Sequence, residues 1–353
     1  MKKILFVDPL SPRGHVNFNS IYIQSLYKLT ENLDFSFKQG YENHFKIKSQ
    51  SIVYPIPKKL FISTRNKFTT RYNQWKVLRF IKNHIPLQSY DIVIFSSYEE
   101  ISLSLAFIRK KVFLINHNNI RNIENPIKRY FFKKASARNT NIVFEDYIKG
   151  HLEGKGISNL ITIPHGIPTP HSMGILSNQN MCEKFSFLNN FDRVIFSPSA
   201  SSSDMPFLTK LNSDSSFLSF LSQNNILFIV RGDFQESQSR NLLVINNFLT
   251  DTEYQFLLLR SDIILISYPQ THLFRVSAIL FECIANNKFC VLSNIPALRI
   301  YAEYFNYNPY FESISSLLIL LKNLISNKQL TDSSPFKNTN KLNPDLGKIL
   351  NEK

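Results

Sequence analysis

The stretch SDIILISYPQTHLFRVSAILFECIANNKFCVLSNIPAL, Ser261 to Leu298, constrains the fold more than any other part of the chain. Ile263 to Ile266 is an apolar run of buried-strand type. A polar loop follows, then a helical segment, Arg275 to Ala285, carrying Glu282, and a second apolar run, Phe289 to Leu292. That order is a β-loop-α-β unit of a parallel sheet. Ligands in such sheets bind beyond the carboxyl ends of the strands, so the loop Ser267 to Phe274 and the first helical turn face the expected site. Arg275, Ser277 and the free backbone N–H groups of that turn suit an anion.

The same alternation runs through the chain. Strands are expected at Ile4 to Asp8, Asp91 to Phe95, Val112 to Ile115, Asn141 to Phe144 and Leu160 to Ile163. Helices are expected at about Asn19 to Thr30, Glu100 to Arg109 and Pro126 to Ala137. After Pro164 the segment IPTPHSMGILSNQNMCEK is polar and aperiodic, which marks a boundary. The pattern restarts at Arg193 to Ser197 and continues through Ile226 to Val230, Leu242 to Ile245 and the unit above. The reading is α/β, with two Rossmann-like doubly wound domains at 1–175 and 190–326. A polar tail, 327–353, has the length to cross back to the first domain. At 353 residues, 43% of them hydrophobic, the chain can bury two cores. Neither GxGxxG nor GxxxxGK[ST] occurs, which speaks against dinucleotide oxidoreductases and P-loop enzymes.

Charge is uneven. The formal excess of +15 lies in residues 1–170, with 26 Lys and Arg against 11 Asp and Glu; the remainder carries 15 of each. Two basic clusters are interleaved with aromatics. One runs from Lys58 to Lys82 and includes Arg65, Arg71, Trp75 and Arg79; the other surrounds Tyr130 to Phe132 and includes Lys133 and Lys134. Such a mixture suits an anionic membrane interface, a nucleic acid or a simple solvated face. The basic residues build no helix-turn-helix, zinc or RNP-type pattern, so nucleic acid is not the expected partner.

Cys182, Cys283 and Cys290 form no CxxC pair and no metal-ligand spacing, which points to a reducing compartment. Asp8 and Pro9 cut short the opening apolar run, and no run approaches the roughly 18 residues of a membrane span. The expected location is cytoplasmic or peripheral on the inner face of a membrane.

The segments INHN, VFEDYIKGHLEGKGI, ITIPHGIP, LFIVRGD, NNFLTDTEYQFLLLRSDIILI and FRVSAILFECIANNKFCVLSNIPAL, in that order, resemble a GT-B-fold glycosyltransferase of the retaining family 4, or group 1, type. The resemblance spans the chain to about Ser326. It implies a nucleotide-sugar bound between two domains, the donor mainly by the second and the acceptor by the first. By resemblance, Glu282 matches the second Glu of the family's Glu-x7-Glu motif and binds the donor ribose, whose two hydroxyls a carboxylate can accept. Phe274 stands where the first Glu would be. Arg275 and Ser277 resemble an Arg-x-Ser version of this loop, able to hold a diphosphate. The family's Arg and Lys after the first strand of this domain are replaced by SPSASSSDMPF, leaving Arg231 or the hydroxyls and amides of Ser199 to Ser203 to balance the leaving diphosphate. His117 occupies the place of the family's histidine near the reacting carbon. Gly14 sits in the first strand-helix loop, where backbone approaches a phosphate or sugar; Phe248 and Leu249 match the region that meets the base. His165 and Gly166 resemble the loop leading out of the first domain.

The resemblance implies sugar transfer from a nucleoside diphosphate to a hydroxyl with retention, by a front-face route in which the departing phosphate takes the acceptor proton. No metal or cofactor is implied. The basic half, with Arg71, Trp75, Arg79, Lys133 and Lys134, then forms an acceptor or membrane face for a lipid-linked glycan, as in lipopolysaccharide, O-antigen or capsule assembly. The missing first Glu and missing Arg/Lys pair also fit a catalytically degenerate binding or scaffold protein. A nucleotide-sugar epimerase of the same fold is the other alternative.

Overall fold

The computed structural model describes residues 2–62, 66–116, 119–198, 204–234, 239–326 and 334–351. The chain divides into two compact units, one of Met1–Pro168 with Lys341–Lys353 and one of Thr169–Asn340.

Unit 1 is a seven-stranded parallel sheet. Its strands are β1 (Ile4–Val7), β2 (Leu33–Lys38), β3 (Val53–Ile56), β4 (Ile92–Phe95), β5 (Phe113–Ile115), β6 (Thr140–Val143) and β7 (Leu160–Thr162), in the order β3-β2-β1-β4-β5-β6-β7. The helices between them are α1 (Val16–Tyr27), α2 (Lys67–His84), α3 (Glu100–Ala106), α4 (Pro126–Ser136) and α5 (Asp146–Gly154). With helices on both faces, β1 and β4 are buried at every position. Leu5, Val7, Val93 and Phe95 pack with Val77, Leu78 and Ile81 of α2 in one core cluster; full burial stabilises each such side chain by roughly 1.5–3 kcal/mol. Asn66 caps α2 by accepting from Phe68 N at 2.8 Å, and the chain leaves the helix at Ile85, ahead of Pro86.

Unit 2 opens with α6 (Gln179–Lys184) and continues with β8 (Arg193–Ser197), α7 (Met205–Asn212), α8 (Ser215–Gln223), β9 (Ile226–Arg231), β10 (Leu242–Ile245), α9 (Asp251–Arg260), β11 (Ile263–Ile266), α10 (Ala278–Ala285), β12 (Phe289–Ser293), α11 (Pro296–Arg299), β13 (Tyr310–Phe311) and α12 (Ile314–Ser326). Its six strands are all parallel, ordered β10-β9-β8-β11-β12-β13. A last short helix, α13 (Gly347–Asn351), belongs to unit 1.

Each sheet reverses its strand order once, between β1 and β4 in unit 1 and between β8 and β11 in unit 2. In doubly wound sheets the crevice at that reversal is where ligands bind.

Several features depart from the sequence reading. The first domain ends at Pro168 rather than 175, because the turn Met173–Ser177 packs on α9 and α6 stands where a linker was expected. Strands β2 and β3 and the helix α2 were not foreseen. In β2 the polar Asp34 is buried, held by Tyr90 Oη and Ile52 N, both at 2.7 Å, so the strand's polarity hides its depth. Finally, α10 begins at Ala278 rather than Arg275, because Ser277 caps it.

Candidate functional site

At the reversal in unit 1, Asp8 directly follows β1 and is fully buried. Its Oδ1 accepts from Ser11 N at 2.8 Å, Leu10 N at 3.2 Å and the Ser97 hydroxyl, and its Oδ2 accepts from Asn19 Nδ2 at 2.7 Å. His15 Nδ1 lies 3.7 Å from Oδ2. Burial alone would push the Asp8 carboxyl up, yet His15, Ser97 and Asn19 together hold it below its usual range. Asp8 thereby fixes the loop carrying Gly14 against the end of β4.

This loop and the ends of β4 and β5 enclose a cavity of about 490 Å³, with Gly14, His15, Gln74, Ser96, Glu100 and Asn119 in its wall. Glu99 also lines it and pairs with Arg71, Nε to Oε1 at 3.2 Å. Glu100 is fully buried, with Lys128 Nζ 3.6 Å from Oε1 and Asn122 Nδ2 donating to Oε2 at 3.4 Å. Burial pushes the Glu100 carboxyl above its ordinary range. Neither Asp8 nor Glu100 was singled out from the sequence. The available signals were a charged residue directly beyond the apolar strand β1 and the acidic pair Glu99-Glu100 a few residues beyond β4.

At the reversal in unit 2, four buried polar atoms have no hydrogen-bond partner among the described residues: Ser197 Oγ at the end of β8, Ser267 Oγ just past β11, His272 Nε2 in the following loop and Asn294 Oδ1 past β12. Buried polar atoms are nearly always paired, so a cluster of orphans at one sheet edge marks a place for outside partners. His272 stacks on Tyr268 at 4.1 Å, and burial with the Arg275 charge pulls its pKa down to about 4, leaving a neutral ring at pH 7.

The sequence-derived residues fall around this edge with mixed orientations. Arg275 is exposed. Ser277 is buried, its Oγ accepting from Leu280 N at 3.1 Å and lying 3.0 Å from Tyr268 Oη, so its hydroxyl serves the helix cap. Glu282 is 8% exposed and its Oε2 accepts from Tyr254 Oη. Arg231 ends β9, and its guanidinium stacks over the Phe248 ring at 4.8 Å, leaving Phe248 89% exposed; Leu249 is half-buried. His117 and Ser199 to Ser203 lie outside the described residues.

Arg71 turns to Glu99, and Lys133 reaches over Gly156. Trp75, Arg79 and Lys134 do share the outer side of α2, α3 and α4: Trp75 Nε1 donates to Leu105 O at 3.3 Å, Arg79 stacks on Trp75, and Lys134 covers Phe107. Tyr72, Phe107 and Tyr130 are exposed there. No helix among the described residues is long and apolar enough to cross a membrane. No three His, Cys, Asp or Glu side chains among the described residues gather as a metal site.

No protein-family model matches the chain, and no curated protein matches it in sequence. Solved structures do match its fold. Anabaena HepE in complex with UDP-glucose is 14% identical, with 94% of this chain and 92% of that one covered at a TM-score of 0.61. A glycosyltransferase from Rickettsia africae is 17% identical over 94% and 89%, at 0.59. The UDP-GlcNAc 2-epimerase of Methanocaldococcus jannaschii is 12% identical over 99% of each chain, also at 0.59. The likeness establishes the fold, GT-B, with its two Rossmann-like α/β units.

Proposed function

We propose that this chain is a glycosyltransferase that moves a sugar from a nucleoside diphosphate to a hydroxyl of a glycan acceptor. The observation that carries the reading is the set of buried polar atoms without a hydrogen-bond partner among the described residues beyond the carboxyl ends of β8, β11 and β12, on Ser197, Ser267, His272 and Asn294. Hydroxyl and amide groups of a nucleotide-sugar supply the partners these atoms lack. Arg231 and Arg275 stand at the same carboxyl edge as cations for a diphosphate, and Glu282, positioned by Tyr254, as the carboxylate for a ribose. HepE, of the same fold, binds UDP-glucose.

In this reading the neutral His272 supports a donor or acceptor hydrogen bond without adding charge. His117 serves near the reacting carbon, with the departing phosphate as base and retention at the anomeric carbon. Neither metal nor cofactor is assigned to the reaction. The acceptor is lipid-linked, in bacterial lipopolysaccharide, O-antigen or capsule assembly, and the protein works on the inner face of the membrane. The basic excess of residues 1–170 and the aromatic outer side of α2, α3 and α4 support that placement.

The epimerase alternative draws on the same-fold UDP-GlcNAc 2-epimerase and on the His15, Glu99 and Glu100 side chains gathered in the unit 1 cavity. Incubating the protein with a panel of nucleotide-sugars and a bacterial lipid extract, and following products by proton NMR, separates the two. Transfer of sugar to lipid with release of one nucleoside diphosphate is expected. An epimerised nucleotide-sugar with no transfer, or no turnover of any donor, overturns the proposal.

A further inference from the structure

Glu282 faces the unit 2 site with one of its two oxygens already committed. Tyr254, on α9, donates its hydroxyl to Oε2. Burial, with the Glu282 charge beside it, pushes the Tyr254 phenol well above its ordinary range, so it stays protonated and remains the donor. Glu282 itself is 8% exposed and stands between Phe281 and Cys283, both fully buried. A carboxylate open to solvent offers two accepting oxygens to a ligand. This one, held from inside at Oε2, offers at most one.

The rest of α10 does not supply a second acceptor. From Ser277 to Asn286 the helix and its caps carry side-chain oxygens only on Ser277, Glu282 and Asn286. Ser277 Oγ accepts from Leu280 N at 3.1 Å and lies 3.0 Å from Tyr268 Oη. Asn286 Oδ1 accepts from His171 N at 2.8 Å, and its Nδ2 donates to Glu282 O at 2.8 Å.

The vicinal hydroxyls of a ribose span both oxygens of a carboxylate when each oxygen accepts one hydrogen bond. A site built that way loses a bond when the 2′-hydroxyl is absent, and it rejects the analogue. A carboxylate limited to one hydroxyl loses nothing, because a 2′-deoxyribose keeps its 3′-hydroxyl and makes the same bond. We infer that Tyr254 sets donor specificity at the pentose: by holding Oε2 it limits Glu282 to one hydroxyl, so the site takes 2′-deoxyribonucleoside diphosphate sugars as readily as ribonucleoside ones. The assignment of Glu282 to the pentose rests on the glycosyltransferase reading above.

Isothermal titration calorimetry on the full chain tests this with UDP, GDP, ADP and CDP, each beside its 2′-deoxy counterpart. For the base bound most tightly, the wild type should bind the two forms within about fivefold of each other, where a site that reads the missing hydroxyl rejects the analogue by about 10⁴-fold. Tyr254→Phe releases Oε2 and should tighten the ribo form about tenfold while leaving the deoxy form unchanged. A tyrosine that serves only the fold would weaken both forms alike and leave their ratio where it was. Glu282→Gln, which keeps the shape, should weaken both forms by the same factor, and it decides the matter if Tyr254→Phe does not fold. A wild-type ribo preference larger than that range overturns the inference, as does an unchanged ratio in Tyr254→Phe or an unequal loss in Glu282→Gln. In each of those cases a nucleotide still binds and the donor reading stands. Binding of none of these nucleotides overturns the donor reading and this inference with it.

Discussion

His165 sits between the rings of Phe18 and Phe144, each 5.2 Å away, with Nδ1 3.1 Å from Gly166 O. Burial pulls its pKa down to about 4, against a smaller upward pull from that carbonyl. A histidine kept neutral in the fold binds its proton more readily when unfolded. Its contribution is therefore complete above about pH 6.5 and is lost as pH falls through about 4, amounting to at most about 3 kcal/mol. His272, also near 4, acts in the same direction. Urea unfolding of the wild type should give a stability that declines from pH 7 to pH 5, and His165→Phe should flatten that decline. An unchanged slope in the variant would contradict this account of the site. At this scale the sequence was informative about residue types at strand ends and silent about their partners. Glu282 stands out as an acid in an apolar helix, but the Tyr254 hydroxyl that holds it comes from α9, beyond any local pattern. Ser197 and Ser267 read as ordinary strand-end serines, because an orphan atom is a property of packing.

Helices α2, α3 and α4 form the element on which membrane placement depends. On α2, Phe68, Tyr72, Trp75 and Arg79 follow helical spacing along one side, and Lys76 covers the Tyr72 ring at 4.4 Å. Arg79 and Lys134 carry charge on the shared outer side beside Lys76, and each basic residue near an anionic surface contributes about 1 kcal/mol. Arg79→Ala combined with Lys134→Ala should reduce partitioning onto phosphatidylglycerol-containing vesicles by roughly thirtyfold, with little effect on neutral ones. Sedimentation that does not distinguish the two vesicle types would contradict the membrane placement. The clusters were legible as composition. Their division was not: Lys133 and Lys134 are adjacent in sequence and so leave the helix in different directions. α2 itself was obscured because its fully buried apolar residues, Val77, Leu78 and Ile81, are few among the charges.

In the whole molecule, two sheets of the same winding each reverse once, and near each reversal lie buried polar atoms with no hydrogen-bond partner among the described residues. The doubly wound class was legible because β1, β4 and β11 are apolar throughout and β8 and β9 are polar only at their ends, as expected of strands covered on both faces. The return of Lys341–Lys353 to unit 1 has a visible cause. Gly166, at φ +95°, sits so close to Ile21 and Pro344 that a Cβ would lie 2.4 Å from Ile21 Cγ2 and 3.0 Å from Pro344 Cδ. The central claim is that unit 2 holds a nucleotide-sugar. Thermal unfolding with UDP, GDP, ADP, CMP and TDP, on the wild type and Glu282→Ala, addresses it most directly. At 100 times its dissociation constant a ligand specific to the folded state adds roughly 2.7 kcal/mol. The account predicts that one nucleotide raises the melting temperature of the wild type and fails to raise that of the variant above its own baseline; no shift with any of the five would contradict it.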